Sequence, residues 1–280
     1  MSEAPFTIGV VVPTFNAGEG FRHCMASIAI EQVRPPDRIV VVDGGSSDST
    51  VEIAREFDVD VVEMAPNRCL QRNAGAGFLK TDVVVFIDQD MRLGSDVIEE
   101  CSMMWSEHGL DTAIVISERM FGSNFWAAVR GFQREFFDTW WMEAARGYST
   151  VVFNLSGGFD PSMVGFEDWD LDQRVRGMAV PVIRTHATIR HDEGSPSLRQ
   201  LLSKKAYAFE VKEAFIRRHP LRASLCFSVS HRLKLFLRSP IRIVKRPLLA
   251  FGCLVLGIGE VGVAKCGWGK GTYRVPERRE

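Results

Sequence analysis

The chain contains 280 residues, 46% apolar and 25% charged, a balance that is ordinary for a folded globular protein and excludes a chain too polar to fold. Its net charge of -1 conceals an asymmetry, because residues 196–280 hold 18 of the 34 Lys and Arg but only 5 of the 35 Asp and Glu. An acidic body with a basic tail predicts an anionic surface near the tail, and the apolar residues between the tail's charges argue against nucleic acid as the partner.

Strand-like and helix-like segments alternate along the first half of the chain. The predicted strands are residues 7–12, 38–42, 59–64 and 83–87, and segments with helical spacing, residues 18–32, 49–57 and 69–79, lie between them. This order predicts an α/β fold whose central sheet is parallel and is covered by helices on both faces.

The middle of the chain continues with a predicted helix over residues 96–108 and a predicted strand over 113–117. Residues 121–150 contain nine aromatic residues, and we expect these to form core more than an acceptor groove or a membrane-facing surface. A turn over 156–160, a helix from 167 to about 178 and a strand over 180–185 and beyond follow.

The character of the chain changes after about residue 198. Residues 198–218 are predicted to form a basic helix, and residues 248–264 are almost purely apolar but contain Glu260. This run is near the lower length limit of a spanning helix, and an interfacial or re-entrant helix beside a basic segment, or a buried helical hairpin, fits it as well. We therefore expect a catalytic domain over 1–195 and a basic, helical, membrane-associated extension over 196–280.

The cysteines indicate where the protein works. None of the six forms a C-x-x-C pair or has the spacing of a zinc site, and we interpret them as reduced structural thiols of a cytosolic protein. The N-terminus is polar and its first apolar run has only the length of a strand, so no signal peptide is expected.

Polar residues and one proline follow the ends of several predicted strands. They are Pro13, Thr14 and Asn16 after the first strand, Asp43 after the second, and Asp88 and Asp90 after the fourth, and Glu167 and Asp168 begin a later helix. Because the carboxyl ends of parallel strands share one edge of a sheet, we expect these side chains to converge on one crevice.

Each acidic motif has a structural and a functional interpretation. Two carboxylates one residue apart, Asp88 and Asp90, repel each other unless a cation joins them, and a hard divalent ion that carries phosphates is the natural candidate. A solvated acidic turn is the structural interpretation. Likewise Glu167 and Asp168 could cap a helix, or one of them could take a proton from a substrate.

Five segments together resemble the family 2 glycosyltransferases, which have the nucleotide-sugar-binding GT-A fold. The matching segments are residues 11–16, 41–50, 72–75, 86–90, and 158–160 followed by 165–171, and they occur in the family's order within residues 6–195. The resemblance implies a three-layer α/β/α sandwich with a mostly parallel sheet and a sugar transfer from a nucleoside diphosphate to an acceptor hydroxyl.

The resemblance also implies roles for individual residues. Pro13, Thr14, Asn16 and Asp43 would hold the base and ribose, and Arg72 would lie near the diphosphate. Asp88 and Asp90 would form the D-x-D pair, with Asp90 the more direct ligand of Mn²⁺ or Mg²⁺ and Asp88 nearer the ribose. Glu167 and Asp168 would form the catalytic Glu-Asp motif, with Asp168 as the base.

Two further features refine this expectation. His191 follows the Glu-Asp helix, where some related enzymes have a third metal ligand, and an imidazole suits manganese better than magnesium. The Gln-x-x-Arg-Trp motif of processive members is absent, because Gln173 and Arg176 are followed by Gly177. A single-addition hexosyltransferase is therefore expected.

Functions of a different class remain open from the sequence. A Rossmann oxidoreductase would need G-x-G-x-x-G after the first strand, and this turn lacks it. The sequence still permits a nucleotidyltransferase of similar fold or a catalytically inactive, membrane-bound scaffold. The main expectation is an enzyme of cell-surface polysaccharide or glycolipid synthesis, with a saccharide or lipid-linked acceptor, held at the inner face of the plasma membrane.

Overall fold

A computed structural model describes residues 6–137, 142–163 and 165–266. The strands are β1 (Ile8–Thr14), β2 (Arg38–Asp43), β3 (Asp60–Glu63), β4 (Val83–Phe86), β5 (Met91–Leu93), β6 (Ala113–Phe121), β7 (Gly147–Ser149) and β8 (Val182–Asp192). The helices are α1 (Phe21–Ala29), α2 (Thr50–Arg55), α3 (Arg68–Leu79), α4 (Val97–His108), α5 (Phe125–Arg134), α6 (Thr150–Leu155), α7 (Glu167–Gly177), α8 (Leu198–Arg218), α9 (Pro220–Cys226), α10 (Val229–Leu237), α11 (Pro240–Lys245) and α12 (Pro247–Cys266).

The strands form one sheet in the order β3-β2-β1-β4-β7-β6-β8-β5. The first four strands of this order, β3, β2, β1 and β4, are parallel, as the alternation of strands and helices predicts. The remaining pairs are antiparallel: β7 pairs with β4 and with β6, and β5 pairs with β8. Because β1 to β4 run in one direction, their carboxyl ends lie at one edge of the sheet, and Thr14, Asp43, Asp88 and Asp90 lie at or just after these ends.

Apolar residues cover both faces of the sheet. On one face Val10, Val12 and Val85 pack with residues of α1 and α4, and on the other Val11 and Val84 pack with residues of α3 and α6. The alternation of side chains along each strand divides the two clusters, so the β-branched runs are buried on both sides. Strands β1 and β4 are therefore buried along their whole length, and β2 is buried from Val40 to Asp43.

The chain divides into two compact units. The first comprises residues 1–119, 143–162 and 167–192, and the second comprises 120–142, 163–166 and 193–280. The first unit contains nearly the whole sheet, and the second contains α5 and α8 to α12. Trp140 and Trp141, from the predicted aromatic core, lie outside the described residues. Phe132, Phe136, Phe137 and Tyr148 are buried as expected, whereas Phe121 and Trp126 are half-buried and Phe125 is 46% exposed, so the prediction is correct only in part.

Two short strands were not expected from the sequence. No element is predicted for the residues of β5, and the residues of β7 lie in the aromatic-rich stretch 121–150, for which only a core role is predicted. Each has only three residues, which is too short to show an alternation of apolar and polar side chains. β7 nevertheless matters, because it borders β4 and begins directly after Arg146.

The apolar run near the C-terminus forms α12, which packs in the second unit. Ala250, Cys253 and Leu256 are buried, and Gly252 comes so close to α5 that an added Cβ would lie 2.4 Å from Val129 Cγ2. The opposite side is exposed, with Phe251 at 65%. Within the described residues, no helix has both the length and the apolar character needed to cross a bilayer.

Candidate functional site

Asp43 ties the ends of β1 and β2 together. Its carboxylate is fully buried and accepts hydrogen bonds from Thr14 Oγ1 at 3.0 Å, from the backbone N–H groups of Gly45 and Ser46 at 2.8 and 2.7 Å, and from Ser46 Oγ at 2.5 Å. A buried carboxylate needs such partners, because it loses its hydration. The predicted residues Asp43 and Thr14, and Pro13 beside Thr14 on β1, therefore lie together at one edge of the sheet.

The loop after β1 is held in place by two amide side chains. Asn16 has a φ of 46°, and its Oδ1 accepts a hydrogen bond from the backbone N–H of Ser47 at 2.9 Å. Gln89, the middle residue of the D-x-D segment, accepts from the Phe15 N–H at 2.8 Å and donates to the Phe15 carbonyl at 3.3 Å. Gln89 thus fixes the loop that carries Asn16 against the loop that carries the two acids.

Helix α3 is positioned by the residues that surround Arg72. The side chain of Asn73 pairs with the backbone of Phe159, donating at 2.8 Å and accepting at 2.9 Å. Gly75 lets the helix approach the sheet, because a Cβ there would lie 2.5 Å from Val11 Cγ1. The Arg-Asn-Ala-Gly segment therefore aligns the helix so that Arg72 lies at the strand ends.

Arg72 joins two of the predicted acids. Its guanidinium is fully buried and donates to Asp88 Oδ1 at 2.5 Å and to Asp168 Oδ1 at 2.8 Å, and it lies 4.8 Å from the ring centroid of Phe159. Burial disfavours the charge, but the carboxylates of Asp168, Asp88 and Glu167 outweigh burial and raise the pKa of Arg72. Two acids that are distant in the chain are thereby brought to one buried cation.

Arg146 is a second cation at Asp88. It donates to Asp88 Oδ2 at 3.2 Å, and its other terminal nitrogen lies 3.5 Å from Glu118 Oε2. Burial opposes ionisation of Asp88, but Arg72, Arg146 and Arg68 reverse that effect and hold the pKa of Asp88 well below its usual range. With both oxygens engaged by arginines, Asp88 is a poor direct metal ligand in this arrangement.

His191 links Glu118 to Asp90. Its Nδ1 lies 2.8 Å from Glu118 Oε1 and its Nε2 lies 3.2 Å from Asp90 Oδ2. Burial disfavours the charged ring, but hydrogen bonds and charges of the two carboxylates outweigh burial and raise the pKa of His191 to about 10. The register of β5 and β8, which pairs Met91 with His191, places His191 beside the end of the D-x-D segment.

Glu167 differs from its neighbour Asp168 in exposure. The Asp168 side chain is 38% exposed, whereas Glu167 is buried near Arg68 and Arg72, at 3.5 and 3.8 Å, and its Oε2 has no hydrogen-bond partner among the residues that the structure describes. Burial and the charge of Asp168 outweigh the two arginines and raise the pKa of Glu167. Of the two acids, only Asp168 reaches solvent.

The geometry fits a divalent ion in part. Asp90 Oδ2 and His191 Nε2 are 3.2 Å apart, which is close to the separation of about 3 Å between adjacent ligands of an octahedral ion with bonds near 2.1 Å. A carboxylate and an imidazole suit manganese. Among residues 6–137, 142–163 and 165–266, however, no group of three or more such side chains is arranged to hold a metal, so phosphate oxygens and water would have to complete the coordination.

The site contains three residues that the sequence did not indicate. Arg146 and Glu118 connect the predicted acids, and Arg68 approaches Glu167. Arg146 precedes a strand too short to recognise, and Glu118 lies on the part of β6 beyond the predicted end at residue 117. No spacing in the sequence singles out these charged residues from the remaining acids and bases of the chain.

The chain is similar in sequence to known glycosyltransferases. Residues 9–159, more than half of the chain, match the model of the family described as glycosyl transferase family 2. The "Uncharacterized glycosyltransferase YibD" of Escherichia coli is 33% identical over 116 residues, 38% of this chain and 32% of that protein. The "O-antigen chain rhamnosyltransferase RfbN" of Salmonella typhimurium is 33% identical over 108 residues, 36% of this chain and 33% of that one. The matched stretch thus spans about a third of these relatives.

Two solved structures are similar over nearly the whole chain. The mannosyltransferase PcManGT from Pyrobaculum calidifontis, in complex with GDP-Man and Mn²⁺, has a TM-score of 0.60 at 15% identity, covering 92% of this chain and 87% of that one. Residues 1–349 of S. aureus TarS, in complex with UDP-GlcNAc, have a TM-score of 0.52 at 16% identity, covering 95% and 93%. At these identities the likeness concerns the fold, and it confirms the predicted GT-A architecture.

Proposed function

The chain belongs to glycosyltransferase family 2, and from this premise we propose that it transfers a hexosyl group from a nucleoside diphosphate sugar to an acceptor hydroxyl, with inversion at the anomeric carbon. The observation that carries the proposal is that Arg72 bridges Asp88 and Asp168, with one terminal nitrogen on each carboxylate. It brings the exposed carboxylate of Asp168 and the D-x-D segment to the same edge of the sheet.

The donor is proposed to lie along the loops after β1 and β2. Asp43, braced with Thr14, would accept a hydrogen bond from the base, and Pro13 and Asn16 would line the nucleoside pocket. Arg72 is proposed to lie near the diphosphate, behind the two acids that it holds, with Asp88 near the ribose. The two similar structures, which contain UDP-GlcNAc and GDP-Man, support a uridine or guanosine diphosphate sugar.

A divalent ion, Mn²⁺ or Mg²⁺, is proposed to be held by Asp90 and His191, with Asp88 behind them. Such an ion would supply positive charge that stabilises the departing diphosphate without a proton. The side chains on this part of the site supply ligand atoms and further positive charge. Asp90 and His191 offer an oxygen and a nitrogen on one side, and Arg72 and Arg146 present cations around Asp88.

The acceptor side is assigned to Asp168. An acceptor hydroxyl is a poor nucleophile, so a carboxylate must take its proton as it attacks the anomeric carbon. Asp168 is exposed enough to meet the acceptor, and Arg72 fixes its orientation. Attack from the face opposite the diphosphate inverts the configuration, as in inverting hydrolases, with an alcohol in place of water. Glu167, which is buried beside Arg68 and Arg72, is proposed to help position Asp168 within the Glu-Asp motif.

Asp168→Asn tests the assignment of the base. We expect this variant to retain donor binding but to lose about 10²- to 10⁴-fold in kcat, because general-base catalysis contributes that much. The assay measures release of UDP and GDP from a panel of nucleotide sugars with Mn²⁺, and a thermal shift with the same nucleotides reports donor binding. Equal turnover by variant and wild type would remove the base assignment. Pyrophosphate release from sugar phosphates and nucleoside triphosphates would favour the nucleotidyltransferase instead.

The second unit is proposed to bind an anionic bilayer. Helices α10 to α12 expose large apolar side chains next to basic ones, and residues 229–266 contain seven Lys and Arg but one acid. The exposed apolar side chains are Val229, Leu233, Leu237, Ile241, Val244, Leu248, Phe251, Leu254 and Ile258. Apolar residues inserted among lipid headgroups, with basic residues on anionic lipids, are typical of interfacial helices.

This attachment agrees with a lipid-linked or polysaccharide-precursor acceptor and with a position on the cytoplasmic face of the plasma membrane. We accordingly propose residues 1–195 as the catalytic domain and 196–280 as the basic helical extension. The relative named for the O-antigen chain supports cell-surface polysaccharide or glycolipid synthesis as the process.

Charge reversal at Lys234, Arg238 and Lys245 tests the bilayer proposal. Each basic residue near an anionic surface contributes about 1 kcal/mol, so the triple Glu variant should lose at least about 100-fold in partitioning to vesicles that contain about 30% phosphatidylglycerol. Sedimentation with these vesicles, and with pure phosphatidylcholine, measures the effect.

The control places the same charge change on the first unit, at Arg22, Arg55 and Lys80. If both triple variants lose the same affinity, net charge alone explains binding and the assigned face is wrong. Failure of the wild type to sediment with either vesicle also rejects the proposal, and concentration-dependent dimerisation in that case would assign the apolar face to a second copy of the chain.

A further inference from the structure

Glu118 lies between two residues of the site and contacts both. Its Oε1 is 2.8 Å from His191 Nδ1 and its Oε2 is 3.5 Å from Arg146 Nη2, and its side chain is 11% exposed. The carboxylate is thus shared between the imidazole that faces Asp90 and the guanidinium that donates to Asp88. No motif of the sequence includes Glu118.

The neighbouring strands β6 and β8 hold Glu118 and His191 in place. Ser117, the residue before Glu118, donates its backbone N–H to Thr185 Oγ1 at 3.1 Å, and its hydroxyl donates to the Thr185 carbonyl at 2.5 Å. Contacts on strands are more rigid than contacts on loops, because the ladder of backbone hydrogen bonds fixes them. Glu118 can therefore set the direction of the ring of His191.

The chemistry of imidazole gives this contact a consequence. A neutral imidazole has one N–H and one lone pair, and the hydrogen bond at one nitrogen decides which nitrogen binds a metal. Because Nδ1 faces Glu118, Nε2 is the nitrogen that faces Asp90, and it would offer its lone pair to a cation there in place of its proton. A carboxylate on the distal nitrogen also raises the basicity of the ligand nitrogen.

We propose that Glu118 is a positioning residue that directs His191 Nε2 toward a divalent cation shared with Asp90, and that anchors Arg146 against Asp88. This inference depends on the metal requirement in the proposed function. One carboxylate then aligns the metal-binding imidazole with the arginine at the D-x-D segment, so both are ordered before the donor arrives.

The test compares Glu118→Ala and Glu118→Gln with a matched control. Glu100 is suitable, because its two oxygens accept the backbone N–H groups of His186 and Ala187 on β8 at 2.8 and 2.6 Å, on the same strand as His191. Glu100→Gln weakens an anchor of that strand and leaves the contacts of His191 intact. Free Mn²⁺ is measured by electron paramagnetic resonance during titration of the full-length protein, with saturating UDP or GDP.

Glu118→Ala should weaken Mn²⁺ binding by about 10- to 100-fold, as is typical when the partner of a ligand histidine is removed. Glu118→Gln should fall between the alanine variant and the wild type, because its amide oxygen still accepts from Nδ1–H but carries no charge for Arg146. Glu100→Gln should bind Mn²⁺ like the wild type. This order of affinities is not expected from a general loss of stability.

Two results overturn the inference in distinguishable ways. Wild-type Mn²⁺ affinity in Glu118→Ala, or in Glu118→Gln if the alanine variant does not fold, rejects the role of Glu118 while the proposed function stands. Absence of Mn²⁺ binding by the wild type with either nucleotide rejects the inference together with metal dependence. An equal loss in Glu100→Gln also rejects it, because a loosened β8 would then explain the effect.

Discussion

Each of the two units contains a cluster of buried charges, and the two clusters differ at their ends. In the first unit the charges alternate from Asp168 through Arg72, Asp88, Arg146, Glu118 and His191 to Asp90. Both terminal carboxylates are exposed, Asp168 at 38% and Asp90 at 49%. In the second unit Glu260 lies between Arg232 at 2.9 Å and Lys205 at 3.7 Å, and its carboxylate, the one acid of this trio, has a side chain only 10% exposed.

The difference separates a site from a structural cluster. Burial of ions is costly, and a protein in which a buried ion pair is replaced by apolar residues is often as stable as the original. A long series of buried ion pairs therefore needs a reason other than stability. In the first unit, the exposed carboxylates of Asp168 and Asp90 at the two ends of the series can contact a ligand. The trio in the second unit instead connects α8, α10 and α12, and its charges are directed at one another.

Removal of Arg72 should give the largest effect of the changes that test this comparison. Arg72→Met leaves Asp88 and Asp168 without their shared cation, and breaking a buried ion pair from one side costs about 3–5 kcal/mol. Urea denaturation followed by circular dichroism measures the loss in the free energy of unfolding.

Arg55→Met is the matched control for that measurement. Arg55 pairs with Glu63 at 3.4 Å, and both side chains are more than half exposed. Exposed pairs contribute about 0–1 kcal/mol, so the control should change little. If the two variants lost equal stability, the buried network of the first unit would carry no special energetic weight.

A smaller effect is expected from Lys205→Met in the second unit. Burial lowers the pKa of Lys205 to about 8, with Arg232 and Arg130 adding to the shift and Glu260 opposing it. The unfolded chain keeps a pKa near 10.4, so between about pH 8 and 10.4 it binds more protons than the folded chain, and Lys205 makes stability rise with pH. The slope is at most about 1.4 kcal/mol per pH unit.

Lys205→Met should abolish this dependence of stability on pH. As the pH rises from about 8 to 10.4, the free energy of unfolding of the wild type should therefore increase relative to that of the variant. Unfolding in urea at several pH values between about 7 and 10.5 gives the difference and removes the effects of thiols and tyrosines common to both. A constant difference would mean that Lys205 keeps its ordinary pKa in the folded chain, and the trio would then be more hydrated than its geometry indicates.

The sequence by itself determined the elements that depend on local patterns. β1 to β4 and α8 lie where β-branched runs and helical spacing predict them, because a strand buried on both faces, as β4 is, must be apolar along its length. Motif residues at the strand ends were also recognisable, since their chemistry is unusual for such positions. Asp43, Asp88 and Asp168 are therefore recognisable from the sequence alone, without their distances.

Only the tertiary structure decided which charges meet. Arg72 reaches Asp168 across 96 positions of the chain, and Glu118 reaches His191 across 73, and neither contact leaves a periodic trace in the sequence. The antiparallel strand β7, which follows Arg146, is too short to recognise. Long-range pairing of charges depends on how the sheet and its helices are packed, and a pattern of neighbouring residues does not contain that information.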